Sequence, residues 1–329
     1  MALNGTKNAD KLVGALNQLN DIFGRGGDDD IAGGKFTDTI YGGKGDDYVW
    51  AGGGDDAIYG NTGADKLYGT EGNDAVAAGE GNDFVSGGKG ADVLAGGRGD
   101  DTINGNTGDD VVLGGSGDDT LNGNAGNDWL DGGRGDDLIY GGSGDDTIVV
   151  SSGRDVYSGG SGDDVLDFSR VAGNVVVDLT KGTASFGSGR NITTDKISGF
   201  ETFVGNNGND SFTGADKTAE WFIGGAGNDT FRGKGGSDTL TGGDGADTFA
   251  FLKKDTAGGS VDTITDFKAG TDHLDLKDFL KGHTSYDQAV RFVDAGADTK
   301  VQGLVNHQWV DVAVLQGVDH QDVGFSILS

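Results

Sequence analysis

The chain has 329 residues, a formal charge of −30, 67 glycines, no proline and no cysteine. That charge excludes nucleic acid and anionic membranes as partners, and the missing cysteines exclude a disulfide framework or a thiolate zinc site. Only four of the 54 carboxylates are Glu, a bias towards the shorter acid that points to side chains held against the backbone in turns or metal loops.

Residues 1–23 read as an imperfect lead-in and N-terminal cap. Asp10 and Leu12 fit the pattern that follows, then one extra residue shifts the frame. The segment has no basic start followed by an apolar core, so no N-terminal signal peptide is expected. No apolar run approaches the roughly 20 residues of a transmembrane helix. Residues 24–167 are sixteen contiguous nonapeptides. Each carries an aspartate at the same place: Asp29, Asp38, Asp47, Asp56, Asp65, Asp74, Asp83, Asp92, Asp101, Asp110, Asp119, Asp128, Asp137, Asp146, Asp155 and Asp164. Two residues after each comes an apolar side chain, from Ile31 to Leu166, with Tyr157 as the one non-aliphatic. Low hydrophobicity with high charge ordinarily means disorder. So strict a period means a repeat architecture instead.

From 168 to 204 the period stops, and alternating stretches such as Val175-Val176-Val177-Asp178-Leu179 predict a non-repeat β insertion. A second, shorter repeat block covers 205–250, with Asp210, Asp229, Asp238 and Asp247 in register and a ten-residue unit (214–223) breaking step. Residues 251–329 alternate again, which predicts short strands in a C-terminal cap. They hold His273, His283, His307 and His320, read as surface or cap histidines rather than ligands.

Within a nonapeptide the glycines make a tight turn in which positive φ is free and carbonyls converge. The residues after the aspartate, such as Thr102-Ile103-Asn104, make a very short strand with its middle side chain inward. Two units then give one turn of a flattened parallel coil. The expected fold is all-β: a parallel β-roll, or β-solenoid, of nonapeptide repeats with a C-terminal β capping domain.

Units such as Gly96-Gly97-Arg98-Gly99-Asp100-Asp101-Thr102-Ile103-Asn104 match the G-G-x-G-x-D-x-U-x pattern, so the chain resembles the RTX family of hemolysin-type calcium-binding repeat proteins. The resemblance implies Ca²⁺ held between adjacent loops by the aspartate carboxylates and loop carbonyls. Asp262-Thr263-Ile264-Thr265-Asp266-Phe267, with Leu274-Asp275-Leu276 beyond, resembles the segment that ends RTX proteases and alginate epimerases. It implies an uncleaved C-terminal signal read by the type I secretion machinery.

Burying one Val, Leu or Ile contributes roughly 1.5–3 kcal/mol per unit. Ordering nine backbones costs about 1–2 kcal/mol each, so the apolar stripe alone does not fold this chain. A metal that needs the folded loops adds its binding energy to folding. Oxygen-only ligands in flexible loops select Ca²⁺ over Mg²⁺. About fifteen divalent ions would cancel the net charge, and the loops offer roughly 10–18 sites. Phe36 and Val150-Ser151-Ser152 replace loop glycines, so Asp38 and Asp155 are the weakest expected ligands; Asn61, Asn106 and Asn124 are milder changes because Asn tolerates positive φ. The preceding acids Asp46, Asp100, Asp109 and Asp118 read as solvated charge.

Ninth positions should face outward, where four successive units place Tyr41, Trp50, Tyr59 and Tyr68. Such a stripe binds a sugar ring or a partner subunit, or only reflects β-propensity and cover by a neighbouring segment. No HExxH, GxSxG or phosphate-loop motif is present, so no catalytic or cofactor-binding residue is expected. The expected function is a secreted, extracellular, non-catalytic structural or adhesive protein of a surface or matrix, binding itself or a cell-surface polysaccharide. The alternative is the accessory module of a secreted protease, lipase or epimerase.

Overall fold

A computed structural model describes every residue except Met1, Asn17, Ala257, residues 324–326 and Ser329. Parts of the cap expected to hold the export signal therefore lie outside the described residues. The chain forms two compact units, Met1–Leu166 and Asp167–Ser329. Among the described residues no helix is long and apolar enough to cross a membrane.

The first unit is a parallel coil. Successive nonapeptides alternate between two sheets, so from Asp21 to Ser161 strands pair at a spacing of 18 residues: Val85 with Ile103, Ile103 with Leu121, and in the other sheet Ile40 with Ile58 and Val93 with Val111, while the lead-in pairs at 19, Leu12 with Ile31. The strands are longer than the sequence suggests. Thr102–Thr107 has six residues, because the ladder continues through the turn, where Asn106 pairs with Asn124 and Thr107 with Ala125. Two side chains per unit point inward. One is the aliphatic, fully buried from Ile22 and Ile31 through Leu130 and Ile139 with Val76 at 3% the most exposed. The other, two residues later, is a Gly or Ala except at Val150, and is small for a steric reason. A Cβ on Gly96 would lie 2.2 Å from Asp101 Oδ2 and 2.8 Å from the Gly114 carbonyl oxygen.

The second unit opens with an antiparallel meander, Asn174–Asp178, Thr183–Ser188 and Asn191–Ser198. Parallel rungs then return. Thr202–Val204, Trp221–Ala226, Thr239–Asp244 and Asp262–Ile264 follow one another in one sheet. Ser211–Thr213, Thr230–Arg232, Thr248–Ala250 and His273–Asp275 do so in the other. Here the inward side chains are large. Phe212, Phe231 and Phe249 stack at 5.4 and 5.1 Å, where the first unit uses aliphatics. A helical turn, Lys277–Leu280, precedes a second antiparallel meander whose last strand, Gln308–Leu315, pairs in parallel with Asp262–Ile264.

Candidate metal sites

All twenty aspartates expected from the period are buried, none more than 3% exposed. Each sits at the end of a loop, immediately before its strand. Its Oδ1 accepts the backbone N–H of the equivalent residue one turn earlier: Asp29 donates to Asp47, Asp83 to Asp101, Asp101 to Asp119, and Asp229 to Asp247, all at 2.8–2.9 Å. The carboxylates thus tie consecutive rungs together along the loop columns.

The other oxygen is different. From Asp29 to Asp146 without a break, and again in Asp229 and Asp247, Oδ2 is buried and receives no hydrogen bond from the protein. A buried carboxylate oxygen without a donor is costly, and native interiors hold only a few unsatisfied polar groups. A succession of them means that the protein supplies one half of an interaction at each rung. Oδ2 faces the Cα of the small residue five positions earlier. The Cβ that Gly105 lacks would lie 2.3 Å from Asp110 Oδ2 and 2.8 Å from the Gly123 carbonyl oxygen, so a carboxylate and a carbonyl of the next turn share one cradle. Among the described residues no three acidic or histidine side chains converge. A cation here therefore takes much of its coordination from backbone carbonyls, which suits a hard ion with flexible geometry. The donor set fits Ca²⁺.

Without a cation the burial is felt as pKa. It raises Asp47, Asp101 and Asp137 to about 6 and Asp56, Asp65, Asp119 and Asp146 to about 7. The backbone N–H each accepts pulls down, and neighbouring carboxylates push up again.

Two loops close by other means. Asp155 Oδ2 accepts the Tyr157 hydroxyl at 2.6 Å, and that hydroxyl accepts the Ser151 N–H at 3.1 Å. The one non-aliphatic residue in the inward stripe of the sixteen nonapeptides thus supplies a donor where Val150 and Ser151 replace loop glycines. Asp210 has both oxygens occupied, by the N–H groups of Val175 (2.8 Å) and Asn206 (3.0 Å). Asp38, beside Phe36, keeps a partnerless Oδ2 like its neighbours.

Several residues at the same position escape a strict nine-residue count: Asn20, Glu220, Asp262 and Asp272, all buried. Glu220 donates its N–H to Asp238, Asp238 to Asp262, and Asp247 to Asp272. Each is followed two residues later by a buried apolar side chain (Ile22, Phe222, Ile264, Leu274), and that signal finds them where the period fails. The preceding acids also do more than carry charge. Asp100 Oδ1 accepts the N–H of Asp118, Asp109 that of Asn127, and Asp118 that of Asp136, forming an exposed ladder that runs opposite to the buried one.

On the outer faces Tyr41 stacks on Tyr59 at 4.8 Å in one sheet, and Trp50 on Tyr68 at 5.5 Å in the other.

The model of the RTX calcium-binding nonapeptide repeat (4 copies) matches residues 23–58, 50–85, 59–94, 86–121, 113–148 and 122–157. That of the peptidase M10 serralysin C terminal matches residues 155–317. The chain belongs to the RTX family. Its nonapeptide repeats bind multiple Ca²⁺ ions. Among solved structures it is similar to the crystal structure of extracellular lipase LipA from Serratia marcescens, at 18% identity and a TM-score of 0.22. The match covers 78% of this chain and 45% of that one, so the chain spans less than half the length of that protein. No curated protein matches it.

Proposed function

We propose that this RTX chain is a calcium-folded, non-catalytic module that works outside the cell as a structural or adhesive component of a surface or matrix. The observation that carries the reading is the unbroken run of buried, partnerless Oδ2 atoms from Asp29 to Asp146. The twenty aspartates named above, Asp155 and Asp210 excepted, are the proposed ligands, and Glu220, Asp262 and Asp272 join them. Extracellular calcium modules bind in the range of about 10⁻⁴–10⁻³ M, so the loops stay open in a low-calcium cytosol and close after export. Type I secretion, typical of the family, fits a chain that must travel unfolded. The proposed domains are a lead-in (1–23), a main roll (24–167), a β insertion (168–204), a short roll (205–250) and a cap (251–329).

A second reading, the accessory module of a secreted enzyme, is favoured by the serralysin C-terminal match over 155–317. Light scattering of the pure chain during a calcium titration separates the two. Growth to large species as calcium is added supports the surface or matrix role; a monomer at saturating calcium sinks it in favour of the accessory role.

A further inference from the structure

On the outer face of one sheet of the first unit, Trp50 stacks on Tyr68 of the next rung with the ring centroids 5.5 Å apart. Trp50 is 48% exposed. Tyr48 and Phe84 lean on Tyr68 at 5.4 and 5.5 Å and fix its plane. Beside the rings runs a groove of about 950 Å³ whose floor carries no side chain at Gly34, Gly52 and Gly88. Ser86, Thr70, Asn106 and Thr107 line it with hydroxyl and amide groups. Ser86 Oγ accepts from Asn106 Nδ2 at 3.0 Å, which leaves the Ser86 hydrogen to donate into the groove.

One backbone position here is strained. Thr70 stands where most units have a glycine, at φ +91°, a conformation that a β-branched residue rarely adopts. Its hydroxyl donates to the Gly52 carbonyl oxygen across the groove floor. Strain of this kind clusters where a surface is built to bind.

We propose that this groove binds a neutral, linear glycan, packed against the exposed edge of the Trp50–Tyr68 stack with its hydroxyls met by Ser86, Thr70 and Asn106. Rungs of a β-sheet repeat every ~4.8 Å, comparable to the length of one sugar unit, so a polymer lying across the strands meets Trp50, Tyr68 and then Ser86 on consecutive rungs. Aromatic faces paired with a few fixed polar groups are the usual make-up of a specific small-ligand site, and bracing by Tyr48 and Phe84 lowers the ordering cost. Charge selects among glycans. The chain carries −30, and of the charged residues lining the groove Lys89 pairs with Glu71 at 3.0 Å, so Lys35 is the one cation set against that field and a polyanionic chain is disfavoured.

The proposal rests on the calcium-folded reading, because the groove exists only when consecutive rungs are formed. The test uses the full chain at saturating calcium, with circular dichroism and saturation-transfer NMR on the same samples. The probes are cellohexaose, laminarihexaose and mannohexaose, with an oligoguluronate as the anionic comparison. Wild type should bind at least one neutral hexamer. Trp50→Ala and Tyr68→Ala should each weaken binding at least about tenfold. Tyr41→Ala, on the opposite sheet, should leave binding unchanged, and all three variants should keep the wild-type β-signal. No binding of any neutral hexamer, undiminished binding by Trp50→Ala, or a preference for the oligoguluronate would overturn the proposal. Absence of a β-signal in wild type would overturn the calcium reading and the groove with it.

Discussion

Asp101→Asn should have opposite effects with and without calcium. Asparagine keeps the shape and the Oδ1 that accepts the Asp83 N–H at 2.8 Å. It replaces the buried Oδ2 by an amide nitrogen, in the cradle that Gly96 leaves open and the Gly114 carbonyl borders. In the metal-free protein this removes a carboxylate whose pKa burial has raised to about 6. A raised carboxylate pKa means that ionisation opposes folding, by at most about 3 kcal/mol for two units and about 1 kcal/mol once local relaxation is allowed for. The metal-free variant should therefore be more stable than wild type at pH 7.5. With calcium at about a hundred times the site's dissociation constant, one lost ion costs about 2.7 kcal/mol. The calcium-bound variant should be less stable by about 2 kcal/mol, the loss of about 2.7 kcal/mol being offset in part by the roughly 1 kcal/mol gained on removing the buried charge. Urea denaturation followed by circular dichroism measures both, in chelator with a stabilising osmolyte and in excess calcium. A variant less stable in both conditions, or unchanged in calcium, would mean that no cation sits at Oδ2 and would refute the reasoning.

Three further outcomes follow from particular residues. In chelator the roll should gain β-structure as pH falls from 8 towards 5. The folded aspartates titrate at about 6–7 and the unfolded ones near 3.8, so the folded state binds more protons in that window and stability drops as pH rises through it; a metal-free β-signal that weakens on acidification contradicts this. Tyr157→Phe strips Asp155 Oδ2 of its hydroxyl partner and should cost about 1–3 kcal/mol in urea melts. Because that loop closes with a protein donor, its loss should appear at saturating calcium too. Thr70→Gly relieves the positive-φ strain and should stabilise the folded chain by about 1 kcal/mol, while weakening glycan binding by removing the hydroxyl; destabilisation would show that the Gly52 contact outweighs the strain.

Much of this was legible in the sequence because a coil with two units per turn turns period directly into contact. Eighteen-residue spacing predicts that Tyr41 meets Tyr59 and Trp50 meets Tyr68, and the rings stack accordingly. The aliphatic two residues after each aspartate is the core. What the period hides are exchanges of equivalent chemistry. Glu220 stands in for Asp after a one-residue insertion, and Tyr157 replaces an aliphatic while supplying a donor that only the folded loop uses. The outer ladder of Asp100, Asp109 and Asp118 was also out of reach, because adjacent carboxylates look alike in sequence and differ only in which backbone N–H they meet. Strand length was underestimated at Thr102–Thr107, since glycine-rich segments read as turns even where the ladder runs through them.

The most direct measurement is a calcium titration of the chelator-treated chain followed by far-ultraviolet circular dichroism. The account predicts an expanded chain without calcium and a cooperative rise of β-signal reaching its plateau by millimolar calcium, with magnesium unable to replace it. A β-signal already complete in chelator, or still absent at millimolar calcium, would contradict it.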